Sequence, residues 1–312
     1  MYISPTTALL SRGVYSYIQL LITYAGSRSL SVYDSKPIRF LQRLIFDDSE
    51  NPSHGACCAG FELEQWRCQP LANHLIEWLP EYALPEEELN VNHGNMYVKL
   101  QQAAVRVYTS PKYEKRGEAG EIALHAVCRD YFQTIPISPR VFYKSASNDV
   151  VKAFDLVHAR VPAAGSIELW LGESKLYTSG DDAIKEAIKS VTAHLDQGFL
   201  TNQKLLLGPQ IPKATPRYEE LLELFQPQTS LDKFLSSAVF VIGIACDSAA
   251  VGATTTITES YRSALKAELL ELMGKLKTAG LTGKIKILLL YVPLRSKAAL
   301  VDAFDKRLKG LQ

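Results

Sequence analysis

An acid and a lysine stand two residues apart inside an otherwise apolar segment. The segment reads IELWLGESKLY over residues 167–177, and Glu173 and Lys175 interrupt a run that is typical of a buried β-strand. Because side chains alternate between the two faces of a strand, Glu173 and Lys175 point to the same side. Burying both charges is costly unless they pair with each other or bind an ion. The pattern indicates either a structural ion pair or a catalytic centre.

A second acid is predicted to lie beside them. Asp155 interrupts the apolar segment KAFDLVHAR, and the short turn VPAAG joins that segment to the one carrying Glu173. Two β-like runs separated by a short turn with Pro and Gly predict an antiparallel hairpin. If the hairpin folds about residues 163–164, Asp155 lies opposite Gly172 or Glu173. Two acids and a lysine then meet on two core strands.

Two neighbouring carboxylates that open to solvent suit a hard cation. Mg²⁺ prefers oxygen ligands, and Mn²⁺ is expected to substitute for it. A cation held by Asp155 and Glu173 would polarise a phosphoryl oxygen and activate a water molecule. Lys175 would neutralise developing charge or hold the attacking water, and its pKa would fall beside the cation. These residue types and their spacing suit phosphodiester hydrolysis.

The helix that precedes the hairpin offers a third acid. Glu118 and Glu121 lie on one side of the predicted helix EAGEIALHAVCRDYF, together with His125. Glu121 is the better candidate for supporting the metal, because it lies further inside the helix. Glu118 suits the positive N-terminal end of the helix dipole. On the helix after the hairpin, His194 and Gln197 could approach the phosphate.

The elements needed to position these residues form an α-β-β-α unit followed by β-α-β-α, which predicts a mixed α/β fold with a sheet flanked by helices. Periodicity and caps place helices at 71–84, 118–132, 180–195, 258–278 and 296–308, and Pro80 should end the first of these helices. Strands are predicted at 150–160, 166–177, 237–246 and 284–293. Residues 95–108 fit a strand or a helix equally. The segment 109–120 is the best boundary, between an accessory domain over 1–110 and a nuclease domain over 111–312.

Composition limits the partners. The net charge of the 312 residues is +1, so contact with nucleic acid requires local basic patches or a partner. Residues 61–96 carry seven acids against one base, whereas residues 99–160 carry ten bases against six acids. These regions are either solvated surface or an acidic partner-facing region beside a basic substrate-facing one.

Several function classes are disfavoured. The five irregularly spaced cysteines favour a reducing cytoplasm over a disulfide framework. The first 26 residues match neither a signal peptide nor a membrane span. Without a glycine-rich phosphate-binding loop, the chain is not expected to hydrolyse ATP.

Three features together resemble the core of PD-(D/E)XK nucleases. They are the acid Asp155 in the first strand, the E-x-K spacing of Glu173 and Lys175 in the second strand, and the helix that precedes both strands. Asp155, Glu173 and Lys175 occupy the motif positions, and Glu121 matches the auxiliary helix acid. Phe154 stands where the nominal motif has proline. The resemblance implies a restriction-endonuclease-like αββα core and a metal-dependent nuclease.

A closer resemblance is to the nuclease subunit of the Hachiman anti-phage defence system. It is carried by FELEQWRCQPLANHLIEWLPEYAL, RGEAGEIALHAVC, KAFDLVHAR, LGESKLY and AIKEAIKSVTAHL. It implies a DNase that destroys DNA in infected cells, controlled by a superfamily-two helicase that docks on the acidic region or on the N-terminal domain. The alternatives are a catalytically inactive nuclease-fold regulatory subunit and a stand-alone restriction or repair nuclease.

Overall fold

The computed structural model describes residues 32–108, 117–138 and 154–311. The chain divides into two compact units, residues 1–35 and residues 36–312. The described part of the first unit contains a single 3₁₀ turn, Val32–Asp34. The second unit contains the candidate site and the sheet that supports it.

A seven-stranded mixed sheet forms the centre of the second unit. Its strands lie in the order β1-β2-β9-β8-β7-β6-β5, and a separate two-stranded ribbon pairs β3 with β4. The four central strands, β2, β9, β8 and β7, run parallel, and the outer pairs are antiparallel. The bounds are β1 Gln42–Asp47, β2 Ser53–Cys58, β3 Phe61–Glu62, β4 Gln65–Trp66, β5 Ile135–Pro136, β6 Leu156–Arg160, β7 Glu168–Tyr177, β8 Ala238–Asp247 and β9 Lys286–Leu294.

Helices cover this sheet. Their bounds are α1 Cys68–Glu77, α2 Leu79–Ala83, α3 Met96–Val107, α4 Glu118–Phe132, α5 Gly180–His194, α6 Gln197–Leu207, α7 Tyr218–Phe225, α8 Leu231–Ser236, α9 Ala249–Gly252, α10 Glu259–Thr278 and α11 Lys297–Lys309. Serine and threonine side chains accept backbone N–H groups at several N-termini, including those of α5, α10 and α11. These caps explain why the predicted starts of the three helices are accurate.

Helix α4 packs closely on the centre of the sheet. A Cβ atom on Gly172 would lie 3.2 Å from Cδ2 of Leu124, and one on Gly243 would lie 3.0 Å from its Cδ1. A third glycine, Gly120, faces β7, where an added Cβ would lie 3.0 Å from Oγ of Ser174. Glycines in β7, β8 and α4 therefore set the height of the helix above the sheet.

The mixed α/β architecture with a sheet flanked by helices is confirmed, and four details differ from the sequence-based expectation. Pro80 lies in the first turn of the short helix α2 and does not end the previous helix, because proline is compatible with a first helical turn. The undecided segment near residue 100 is the helix α3. Strand β6 begins at Leu156, so Asp155 lies directly before the strand. The short strand β5 adds to the predicted α-β-β-α order.

The boundary predicted within 109–120 falls largely outside the described residues. Strand β2, from the N-terminal side of that boundary, pairs with β9 from the C-terminal side. Both predicted domains therefore contribute to one sheet, and the assignment of separate roles to them stays a prediction. Within the described ranges, no helix is long and apolar enough to cross a membrane.

Candidate active site

The β6–β7 hairpin places Asp155 beside Glu173. Leu156 pairs with Gly172 and Arg160 with Glu168, which is the register predicted from the turn. The backbone N–H of Asp155 donates to the carbonyl of Gly172 at 2.8 Å. Its carboxylate accepts the backbone N–H of Ser174 at 2.9 Å through Oδ2. Asp155 is thus fixed against β7 by its main chain and its side chain.

Glu173 and Lys175 form an ion pair on β7. The ammonium of Lys175 donates to Oε1 of Glu173, and both side chains are largely buried. Burial alone would lower the pKa of Lys175, but the carboxylates of Glu173 and Asp155 outweigh burial and raise that pKa. Asp155 is therefore close enough to Lys175 for its charge to act on the ammonium. The predicted lowering of this pKa applies to a cation-bound site, and the raised pKa describes the protein alone.

Glu121 is held on a different side of the hairpin. Its helix α4 covers the face of β7 that carries Ser174, which is opposite to the face of Glu173 and Lys175. Oε2 of Glu121 accepts the phenolic O–H of Tyr82 from α2. Tyr82 and Asp155 line one small cavity, and Glu121 is not among the residues that line it. The role of Glu121 as a metal ligand stays a prediction.

Three residues of a buried polar network, Glu81, His125 and His158, line the same cavity. Glu81 contacts both the guanidinium of Arg129 and Nε2 of His125, the latter at 3.1 Å. Nδ1 of His125 lies 3.1 Å from Nε2 of His158, whose Nδ1 contacts Thr134 at 2.8 Å. Burial, His125 and Arg129 hold the pKa of His158 well below its ordinary value.

This network defines the surroundings of His125 and Glu81. His125 belongs to a set of helix-anchoring contacts, and its neighbours are Glu81, His158 and Trp78. Glu81 was one of the seven acids expected at a solvated or partner-facing surface, and that expectation is wrong for it. Burial alone would raise the pKa of Glu81, but His125 and Arg129 outweigh burial and lower it. Sequence spacing gave no signal, because the partner Arg129 lies 48 residues away.

His194 reaches the site from the C-terminal end of α5. Its Nδ1 lies 3.7 Å from Oε2 of Glu173, the carboxylate oxygen that does not contact Lys175. The ring stacks on Phe199 at 4.5 Å between centroids and meets Phe154 edge-on at 4.7 Å. Gln197, the other candidate after the hairpin, begins α6 and is exposed.

The β6–β7 hairpin brings two carboxylates, those of Asp155 and Glu173, to the candidate site. In the described part of the chain, no three His, Cys, Asp or Glu side chains are grouped closely enough to hold a metal ion. The structure therefore brings together Asp155, Glu173 and Lys175, but not a three-acid set that includes Glu121. Mg²⁺ is commonly held by one or two carboxylates with water and substrate phosphate as its other ligands. Asp155 and Glu173 supply that number of carboxylates, and their role as metal ligands stays a prediction.

Comparison with known proteins identifies the family. One curated relative, anti-bacteriophage protein A of Escherichia coli (strain K12), is 22% identical over 192 residues, and the match covers 60% of this chain but 35% of the relative's length. A family model described as HamA matches residues 38–308, which is most of the chain. The resemblance found in the sequence motifs is thereby confirmed: the chain belongs to the HamA family of the Hachiman anti-phage defence system.

Proposed function

We propose that this chain is the metal-dependent deoxyribonuclease of an anti-phage defence complex, in which a helicase partner controls its activity. The observation that supports this proposal most directly is the group formed by Asp155, Glu173 and Lys175 on the β6–β7 hairpin. Membership of the HamA family supports the defence role, as does the name of the curated relative, which acts against bacteriophage.

Asp155 and Glu173 would hold Mg²⁺ through their carboxylates. The bound cation would polarise a phosphate oxygen and make an adjacent water a better nucleophile. In hydrolysis the water oxygen bonds to phosphorus, one P–O ester bond breaks, and the departing oxygen takes up a proton. The ammonium of Lys175 can donate a hydrogen bond to the water or to the phosphate, where negative charge develops.

The helicase partner belongs to the proposal because the family resemblance implies it. The acids available for docking are fewer than the sequence suggests: Glu81 is buried against Arg129, and Glu88 pairs with Arg106 at 2.8 Å. The exposed acids in the acidic region are Glu62, Glu64, Glu77 and Glu87. A docking role for this region would rest on those four side chains.

A paired substitution tests the nuclease assignment. We expect Glu173→Ala combined with Lys175→Ala to abolish Mg²⁺-dependent cleavage of linear and circular DNA, because the double substitution removes one metal ligand and the ammonium group of Lys175. The matched control is Glu186→Ala with Lys189→Ala, which removes an exposed Glu–Lys pair 3.4 Å apart on α5. The control should cleave DNA like the wild-type protein. Cleavage is measured with and without the helicase subunit.

Other outcomes would assign other functions. Undiminished cleavage by the Glu173 and Lys175 double variant would reject the site. A wild-type complex that never cleaves DNA, at any Mg²⁺ or Mn²⁺ concentration and with activating DNA present, would instead support the inactive regulatory subunit. Full activity of the wild-type chain without any partner would support a stand-alone nuclease.

A further inference from the structure

The carboxylate of Glu173 has a nitrogen neighbour at each of its two oxygens. Lys175 donates to Oε1 from the same strand, and Nδ1 of His194 lies 3.7 Å from Oε2. Glu173 and His194 are each only 6% exposed, so water competes little for these contacts. The carboxylate therefore accepts a hydrogen bond from Lys175 on β7, and the His194 ring at the end of α5 lies beside its other oxygen, beyond hydrogen-bond distance.

The His194 ring has little freedom to turn away. Phe199 stacks on it with the ring planes 12° apart, and Phe154 meets it at an interplanar angle of 66°. Phe154 immediately precedes Asp155 in the chain. The aromatic cluster therefore links the segment that carries Asp155 to His194, the neighbour of Glu173. A ring held in this way can fix the position of a carboxylate more strictly than a long flexible side chain can.

We propose that His194 is a positioning residue for Glu173, which holds the Oε2 side of the carboxylate in the orientation needed for the cation. This inference rests on the proposed function, because it assumes that Asp155 and Glu173 bind the metal. His194 itself makes no bond to the cation or to the substrate in this arrangement. Residues that orient metal ligands commonly contribute 10- to 100-fold to metal affinity.

The test is calorimetric titration of the purified full-length chain with Mn²⁺ in the absence of DNA, so that binding is measured apart from activity. His194→Leu keeps apolar bulk between the two phenylalanine rings but removes the nitrogen. His194→Asn places an amide nitrogen near the position of Nδ1. We expect the leucine variant to bind Mn²⁺ at least ~10-fold more weakly than the wild-type chain, and the asparagine variant to recover most of that loss. If the leucine variant does not fold, His194→Ala replaces it.

Two controls separate positioning from a general effect on folding. His74→Leu removes another buried histidine, one that accepts the indole N–H of Trp78 at 3.0 Å, and it should leave Mn²⁺ affinity unchanged. In a Glu173→Gln background, His194→Leu should cause no further loss of Mn²⁺ affinity, because its target carboxylate is already gone.

The outcomes for the two proposals differ. Equal Mn²⁺ affinity in the wild-type chain and the leucine variant would overturn the positioning role alone. A further loss in the Glu173→Gln background would also overturn it, since His194 would then act through another group. A wild-type chain that binds no Mn²⁺ would overturn the proposed metal site, and the positioning role with it.

Discussion

At the scale of single residues, each acid of the candidate site has a different neighbour. Asp155 accepts the backbone N–H of Ser174, Glu173 contacts Lys175 and His194, and Glu121 accepts the O–H of Tyr82. Among the contacts that link these acids, Asp155 and Glu173 both act on Lys175, whereas Glu121 contacts Tyr82 from α2. The three acids should contribute unequally to catalysis.

Neutralising Asp155 should therefore cost more activity than neutralising Glu121. We expect Asp155→Asn to reduce the rate of DNA cleavage about 10²–10³-fold, because a charged group acting at the reacting phosphate is lost. The amide oxygen can still accept the N–H of Ser174, so the melting temperature should change little. Glu121→Gln should reduce the rate about 10-fold, as expected for an indirect contact. Equal losses in single-turnover assays would show that Glu121 acts directly.

At the scale of elements, the site depends on the fit of α4 against the hairpin. Gly172 in β7 lies where α4 packs on the hairpin. An added Cβ at this position would lie 2.7 Å from Cβ of Leu156 in β6 and 3.2 Å from Cδ2 of Leu124 in α4. A contact of 2.7 Å forces β6 to shift, and β6 follows directly after Asp155. Packing at Gly172 therefore connects the stability of the sheet to the geometry of the site.

Gly172→Ala should destabilise the protein by about 1–3 kcal/mol, as overpacking of a core does. Cleavage should fall further than the lost stability explains, because Asp155 moves with β6. The matched control is Gly274→Ala in α10, where an added Cβ meets nothing within 4 Å. That substitution should stabilise the protein by about 0.5–1 kcal/mol. Urea unfolding curves measure the change in unfolding free energy of both variants, which should be negative for Gly172→Ala and positive for Gly274→Ala. A Gly172→Ala variant as stable as the wild-type protein would contradict the close packing of Gly172 on Leu156.

The histidine network beside the cavity should make the fold sensitive to acid. The pKa of His158 is held well below its ordinary value by burial, by His125 and by Arg129. In the unfolded chain it returns to about 6.5. The unfolded state therefore binds the proton more readily, and the free energy of unfolding should fall as pH drops below about 6.5.

This pH dependence can be assigned by substitution. His158→Gln cannot take up a proton, so its unfolding free energy should fall less steeply between pH 6.5 and pH 5, whatever its absolute stability. His93→Gln changes an exposed histidine and should leave the wild-type slope unaltered. Unfolding with urea at a series of pH values measures the slope of unfolding free energy against pH for the wild-type protein and for both variants. A His158 variant with the wild-type slope would assign the acid sensitivity to other groups.

At the scale of the whole molecule, the net charge of +1 provides no general attraction for DNA. A local patch on the unit of residues 36–312 does carry exposed cations. Arg39 and Arg43 stack on the ring of Tyr131, at 4.4 Å and 4.7 Å from its centroid. Neither guanidinium contacts a carboxylate among the described residues. Arginine held against an aromatic ring is suited to phosphate and base contacts.

Removing this patch should weaken DNA binding in a salt-dependent way. Arg39→Ala with Arg43→Ala should lower the slope of log affinity against log salt by about 2 if both arginines contact phosphates. The control, Lys277→Ala with Lys309→Ala, removes two cations that already pair with Glu50 and Asp305. It should leave the slope close to the wild-type value. Fluorescence anisotropy over a range of salt concentrations measures both, and identical slopes would exclude the patch from DNA binding.

The local parts of this protein could be predicted from its residues alone. Strand alternation and the short Pro- and Gly-containing turn were sufficient to predict a hairpin with Asp155 beside Glu173 and Lys175. The 3.6-residue period was sufficient for α4, and capping residues together with that period were sufficient for α5, α10 and α11. These features depend on interactions between residues close in the chain, and backbone geometry restricts such interactions to a few arrangements.

The distant segments that complete the site are set by long-range packing, which the sequence pattern does not show. Residues 53–56 pair with residues 288–291 in the sheet, Glu81 is buried against Arg129, Tyr82 binds Glu121, and His194 contacts Glu173. Periodicity reports which face of an element is apolar, but not which remote segment covers it. An acid on that face looks the same in sequence whether it meets solvent or a buried cation. Packing of the helices on the sheet makes that choice, and it is what assigns a different neighbour to each acid.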